Sequence, residues 1–293
     1  MKTRIIEEDR ILKKISVTYN ETEWLYAPEE LYCNIDGCQR KLQLIIPYRR
    51  EWEEDTRYPV VLYVPGAAWH RQEMYNDIPK VCKLAEHGIV IAMVQHRECD
   101  IAIFPAPIED IHRAVCYLIE NAQRFHIDPS RIFLAGHSAG GHVALMAAFT
   151  KANGVWGPET VDLEDYEIKG VIAQAAPSDL MLCQKEPLPF WMKKSPTAEL
   201  LGVERVEEHP ELAKQASCEM YIRESLPLPP VVLLHGDQDC IVSVEHSRNL
   251  YQVLKDKKKS VEYYELEGVG HSGNAFWSEE VLEIIRDFCY DEA

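Results

Sequence analysis

Five short apolar runs, separated by helical stripes, constrain this 293-residue chain more than any other feature. They fall at residues 60–64, 89–94, 132–135, 170–173 and 231–234. Each is nearly continuous rather than alternating, as a strand must be when both faces of its sheet are covered. Between them, Ile108, Ile111, Val115, Leu118, Ile119 and Ala122 recur at three- and four-residue spacing and make one apolar stripe. Ile78, Val81, Leu84 and Ala85 make another, with Gly88 behind them as a helix-ending residue. Val281, Ile284, Ile285 and Phe288 mark a C-terminal helix. This order predicts an α/β fold: a mostly parallel sheet with right-handed crossovers and helices on both faces. Residues 15–19 and 41–46 alternate instead, and are expected to pair antiparallel at the sheet edge, turned near Asp36-Gly37.

The length suits a single domain over 1–293. The apolar share of 46% and charged share of 27% exclude disordered, collagen-like and coiled-coil classes. Lys plus Arg is 31 and Asp plus Glu 48, a net charge of −17, which repels polyphosphate and argues against a nucleic-acid partner. The one basic run, Lys257-Lys258-Lys259, sits where cations complement the end of a predicted helix. No apolar run reaches membrane-spanning length, and acids occupy the N-terminal stretch where a leader needs apolar residues, so a cytoplasmic protein is expected. Nine scattered cysteines without a CxxC pair point to reduced thiols. Cys33 and Cys38 flank the Asp36-Gly37 turn but have no second half of a zinc site, and no histidine cluster has zinc-ligand spacing, so no metal is expected. One stretch breaks the rhythm. Residues 177–229 show no clear strand and carry prolines at 187, 189, 196, 210, 227 and 229. They are expected to form an insertion, helical over 206–215, that caps the strand ends. Phe190, Trp191 and Met192 within it either wall a pocket or pack the insertion on the sheet.

The chemistry concentrates in Gly136-His137-Ser138-Ala139-Gly140, which follows the run at 132–135 and opens an apolar helix from Val143. A strand-to-helix elbow forces the serine into a tight turn, and small neighbours let strand and helix approach. The serine then projects at a helix N-terminus, where N–H groups favour negative charge. A serine hydroxyl needs a base to take its proton and an acid to orient the base. In chains with such an elbow the acid follows the serine and the histidine comes last. Asp237 and Asp239 both follow the run at 231–234; Asp237 directly follows Gly236 and suits bracing the turn, so Asp239 is favoured as the acid. Of the two later histidines, His246 lies in a helical stretch and reads as an exposed or half-buried helix residue, whereas His271 sits in the glycine-rich Gly268-Val269-Gly270-His271-Ser272-Gly273 and is the expected base. Oxyanion donors are expected from the amide of Ala139 and from Ala67 or Ala68 in the loop after the third strand, an alanine replacing glycine wherever φ is negative. Trp69, His137, Phe190 and Trp191 are candidates for a substrate pocket, with Phe276-Trp277 as further aromatic walls.

These residues together resemble the α/β-hydrolase superfamily, and more narrowly its esterase/lipase branch of acetyl-xylan esterases, feruloyl esterases and bacterial carboxylesterases. Gly136-His137-Ser138-Ala139-Gly140-Gly141-His142 resembles the branch's nucleophile elbow. Phe104-Pro105-Ala106-Pro107-Ile108-Glu109-Asp110 is similar to the lead into its helix, Ile127-Asp128-Pro129-Ser130-Arg131-Ile132 to the lead into its nucleophile strand, and His235-Gly236-Asp237-Gln238-Asp239-Cys240-Ile241-Val242 to its acid loop. The resemblance implies an α/β-hydrolase fold, a Ser138–His271–Asp239 triad, no cofactor and a small-molecule ester substrate. Two departures stand out. Pro65-Gly66-Ala67-Ala68-Trp69 replaces the usual His-Gly-Gly-Gly-Trp, and Cys218 stands where the branch has a proline. The activity expected is a serine carboxylesterase acting on small acyl or aryl esters, acetyl or feruloyl esters of carbohydrates among them. An arylformamidase shares the elbow and loop. From another class, a catalytically silent binding protein of this fold would typically have lost a triad member.

Overall fold

The computed structural model describes residues 15–16, 23–48, 56–184, 188 and 193–291. Strands β1 (Glu23–Ile35) and β2 (Cys38–Tyr48) form an antiparallel hairpin. Asp36 and Gly37 both take positive φ, 51° and 83°, the two-residue turn whose twist matches paired strands. The hairpin stands where expected, but with a different first strand. The partner of β2 is β1, whereas Ile15 and Ser16 have no regular structure and 17–19 lie outside the described residues. Alternation at 15–19 was a poor guide, because β1 is an edge strand whose pattern is broken by register shifts near Glu30 and Cys33.

Six further strands follow: β3 (Tyr58–Val64), β4 (Val90–Val94), β5 (Ile127–His137), β6 (Gly170–Gln174), β7 (Val231–Gly236) and β8 (Val261–Leu266). The sheet order is β1-β2-β4-β3-β5-β6-β7-β8; β2 runs antiparallel to both neighbours and every other pairing is parallel. The helices are α1 (Ile78–Glu86), α2 (Ala106–Glu120), α3 (Ala139–Ala152), α4 (Leu180–Cys183), α5 (Pro196–Leu201), α6 (Pro210–Gln215), α7 (Glu245–Asp256) and α8 (Glu279–Asp291).

Two cores explain the continuous apolar runs. Val60, Leu62, Val90, Leu134, Val171 and Leu233 pack on the face covered by α2, α3 and α7. Their neighbours Val61, Tyr63, Ile91, Phe133, Ile172 and Val232 pack on the opposite face, under α1 and α8. Successive side chains on a strand point to opposite faces, so a sheet buried on both needs apolar residues at nearly every position. Helix α3 is apolar all round and its side chains from Ala139 to Thr150 are buried, as befits the central helix of the larger core.

The 177–229 stretch contains no strand among its described residues and is partly helical, as expected. The helix expected over 206–215 is divided into a 3-10 turn at Val206–Glu208 and α6, because Pro210 lacks the N–H that a continuous helix would use. Helix α5 was not foreseen; Ser195 caps it by accepting the Ala198 N–H, and Gly202 ends it in the left-handed region. Cys218 is buried, and its N–H donates to Ser178 O at the start of the stretch. No helix among the described residues is long and apolar enough to cross a membrane.

Candidate active site

Ser138 stands between β5 and α3 with φ 55° and ψ −128°, a conformation that costs a non-glycine residue about 1–3 kcal/mol. The turn is that sharp because α3 begins against the end of β3. A Cβ on Gly140 would lie 2.0 Å from the Val64 carbonyl oxygen, so only glycine permits the approach. The Ser138 N–H donates to Gln174 O (2.8 Å), which holds the elbow to β6.

His271 lies in the loop after β8. A Cβ on Gly236 would meet Val269 O at 2.2 Å, so the close passage of this loop over the end of β7 also depends on a glycine. His271 Nε2 lies 2.9 Å from Ser138 Oγ, and Nδ1 lies 2.7 Å from Asp239 Oδ2. The structure thus brings together three side chains spread over 133 residues of sequence. Nδ1–H donates to the carboxylate, which leaves the Nε2 lone pair facing the serine hydroxyl.

Asp239 is buried at the end of β7. Its Oδ1 accepts the N–H groups of Ile241 (2.8 Å) and Val242 (3.0 Å). Burial by itself would raise its pKa, but hydrogen bonds from His235 and His271 prevail and hold the carboxyl well below the usual range. Asp237 accepts the Gly268 N–H (2.7 Å) and so braces the turn after β8 rather than only its own turn after β7. His246 is not exposed or half-buried. It is fully buried on α7, where Nδ1 accepts the Ser178 N–H (3.2 Å) and ties the 177–229 stretch to the helix.

The loop after β3 makes a tight turn in which the His70 N–H donates to Ala67 O (2.9 Å), with positive φ at Ala68 (49°) and Trp69 (60°). Alanine replaces glycine without strain only where φ is negative. Ala67 meets that condition and Ala68 does not; the turn imposes the left-handed conformation despite the methyl group. No acceptor among the described residues meets the amides of Ala67, Ala68 or Ala139.

A profile of the BD-FAE family matches residues 48–254, more than two thirds of the chain. The chain belongs to the BD-FAE family. Esterase LipC of Mycobacterium tuberculosis (strain ATCC 25618 / H37Rv) is 28% identical over 232 residues, covering 78% of this chain and 56% of LipC. The chain spans about half the length of the curated relatives it matches. Among solved structures, a truncated form of a carbohydrate esterase from gut microbiota superposes with a TM-score of 0.78 at 22% identity, covering 94% of this chain and 98% of that one. A thermophilic esterase of Thermogutta terrifontis, Est2, gives 0.70 at 21% identity, covering 92% of each chain. The fold is that of the α/β-hydrolases.

Within this BD-FAE-family chain, two histidines that sequence reasoning did not assign, His235 and His142, lie around the site with His137, which was expected in the pocket. His235, fully buried on β7, places Nε2 3.1 Å from Asp239 Oδ2 and 3.0 Å from Val242 O, while Ser247 Oγ lies 2.8 Å from Nδ1. Its four-residue spacing from Asp239 was the only available signal. His235→Ala leaves Asp239, Val242 O and Ser247 short of a partner in a dry setting, so an unfolding loss of about 3 kcal/mol is expected in urea titration. A loss below about 1 kcal/mol would show that these bonds are replaced by solvent.

His137 Nε2–H donates to the His271 carbonyl (2.7 Å) and its ring meets that of Phe276 edge-to-face, so it anchors the base loop. The candidate pocket residue Trp69 is 4% exposed, and its indole N–H donates to His142 Nδ1 (3.1 Å). His142 Nε2–H in turn donates to Ala216 O (2.7 Å) in the 177–229 stretch. Trp69 is therefore a core residue that fastens the β3 loop to α3. Phe276 and Trp277 are buried likewise; Phe190 and Trp191 lie outside the described residues.

Burial lowers both His137 and His142 to about 4, from an ordinary 6.5. In that interval the unfolded chain binds protons the folded chain refuses, so both groups stabilise the fold above 6.5 and cease to do so as pH falls toward 4. Calorimetry across this range should show Tm falling steadily with pH. A Tm constant from pH 7 to 4 would contradict the neutral, buried state of these rings.

Proposed function

We propose that the protein is a serine carboxylesterase acting on small acyl or aryl esters, acetyl or feruloyl esters of carbohydrates among them. The observation that carries this reading is the unbroken relay from Ser138 Oγ through His271 to Asp239, with contacts of 2.9 and 2.7 Å. In the proposed cycle His271 takes the Ser138 proton as Oγ attacks the ester carbonyl. Asp239 holds the imidazole tautomer and stabilises the imidazolium. The carbonyl oxygen, now negative, is received by the amide of Ala139 and by that of Ala67 or Ala68; their lack of protein acceptors supports this role. The imidazolium returns its proton to the leaving alcohol. Water, deprotonated by His271, then attacks the acyl carbonyl and releases the acid, while His271 returns that proton to the departing Ser138 Oγ. The cycle uses no cofactor.

The names of relatives support an ester substrate: LipC is an esterase, and the similar gut structure is a carbohydrate esterase. The 177–229 stretch is assigned as a small cap, since Ala216 and Glu199 within it bond to His142 and His70 beside the β3 loop. All nine cysteines are free, which suits a reducing compartment such as the cytoplasm.

The test is a panel of p-nitrophenyl esters from acetyl to decanoyl, with methyl ferulate and acetylated xylan, alongside fluorophosphonate labelling of Ser138. Labelling together with turnover of short acyl or feruloyl esters is expected. Faster turnover of N-formylkynurenine than of any ester would make the protein an arylformamidase, and no labelling would make it a silent member of the fold.

A further inference from the structure

A second cluster of reactive side chains gathers at the β3 loop. His70 ends that loop, Cys99 and Asp100 lie in the loop after β4, and Glu199 projects from α5. His70 Nδ1 lies 3.3 Å from Asp100 Oδ2 and 3.4 Å from Cys99 Sγ. One donor atom from each of the three lies within 4.8 Å of the others. The opposite ring nitrogen, Nε2, lies 3.1 Å from Glu199 Oε2.

We propose that His70, Cys99 and Asp100 form a binding site for a thiophilic divalent cation of the zinc class, with Glu199 orienting His70. Four observations carry it. First, a tetrahedral ion with bonds of about 2.0–2.3 Å holds its ligand atoms roughly 3.3–3.8 Å apart, and two of the three edges already have that length. Second, when Nε2–H donates to Glu199, the Nδ1 lone pair is left facing Cys99 and Asp100; a carboxylate on the far nitrogen is the usual partner of a metal-bound imidazole. Third, Asp100 and Glu199 meet His70 and form no ion pair with a Lys or Arg among the described residues, so the site has negative charge to offer a cation. Fourth, the frame is rigid, because the Cys99 N–H donates to Trp69 O (3.0 Å) and holds the two loops together. The mixed nitrogen, sulfur and oxygen donors select zinc or cobalt over magnesium or calcium. Asp100 is 66% exposed, so the ion has a path from solvent and water completes its coordination. As the Sγ–metal bond forms, the thiol proton passes to solvent. The bound ion fastens the β3 loop to the β4 loop and, through Glu199, to α5. None of this depends on the ester chemistry.

The test is titration of the reduced full chain with cobalt(II), read by the thiolate-to-cobalt charge-transfer absorption, followed by displacement with zinc. One equivalent of cobalt is expected to bind, with the band absent in Cys99→Ser and zinc raising the Tm of the parent chain. Glu199→Gln should weaken binding by about 10- to 100-fold. Because Cys99 is buried, Asp100→Asn at an exposed position provides a second check independent of its packing, and it too should weaken binding at least tenfold. Absence of the band in the parent chain would overturn the site and leave His70 as a hydrogen-bonding partner of Asp100 and Glu199 alone. A band that persists in Cys99→Ser, or is undiminished in Asp100→Asn, would overturn it equally, by placing the cobalt on another of the nine thiols.

Discussion

Ser138→Ala is expected to lower kcat on p-nitrophenyl acetate or butyrate by roughly 10⁴–10⁶-fold, with KM changed little. In the proposed cycle, the substitution removes the one atom that forms the acyl-enzyme. It leaves the frame around that atom intact, because the elbow depends on the Gly140 approach to β3 and on the Ser138 N–H bond to Gln174 rather than on the hydroxyl. In the proposed cycle, the residual rate would come from binding and from the amide of Ala139 with that of Ala67 or Ala68. The variant should also lose fluorophosphonate labelling while keeping its Tm within a few degrees. Turnover within tenfold of the parent chain would remove Ser138 from the mechanism.

Asp239→Asn should be nearly as costly, about 10⁴-fold in kcat. The neighbours explain why so small a change matters. Asp239 Oδ1 accepts two backbone N–H groups, whereas Oδ2 faces both His271 and His235. An amide has a single oxygen. If that oxygen stays with the backbone donors, the NH₂ group confronts two imidazole nitrogens. His271 then turns to the tautomer with its proton on Nε2, and that nitrogen no longer accepts the serine proton. Stability changes too. The lowered pKa of Asp239 means that its carboxylate stabilises the fold fully above the ordinary carboxylate range and loses that contribution only as pH falls through the lowered value. The substitution should therefore reduce stability at neutral pH and lessen its decline in strong acid. A kcat within a few fold of the parent chain would mean that His271 keeps its working tautomer without a carboxylate.

The sheet was legible because burial on both faces leaves a signature that needs no neighbour information: the runs at 60–64 and 231–234 lie within β3 and β7. The elbow was equally legible, since strand, small residues and apolar helix adjoin in sequence. The edge hairpin was only half legible. Asp36-Gly37 dictates its turn locally, but the choice of Glu23–Ile35 as partner for β2 depends on pairing across the sheet. The 177–229 stretch hid α5, a helix too short for its periodicity to stand out.

By itself, the sequence determined the α/β class, the position of the serine at a helix N-terminus, and the preference for Asp239 over Asp237 and for His271 over His246. Each follows from local chain properties: periodicity, glycine placement and order along the chain. Only the tertiary structure decided what surrounds those residues. It gave His235 to Asp239, His137 to the His271 carbonyl, and Trp69 to His142 rather than to a pocket. It also drew His70, Cys99, Asp100 and Glu199 together from three separate parts of the chain, where no spacing rule would look for a metal site. Hydrogen bonds and coordination act over about 3 Å in space, and only packing decides which distant residues come that close.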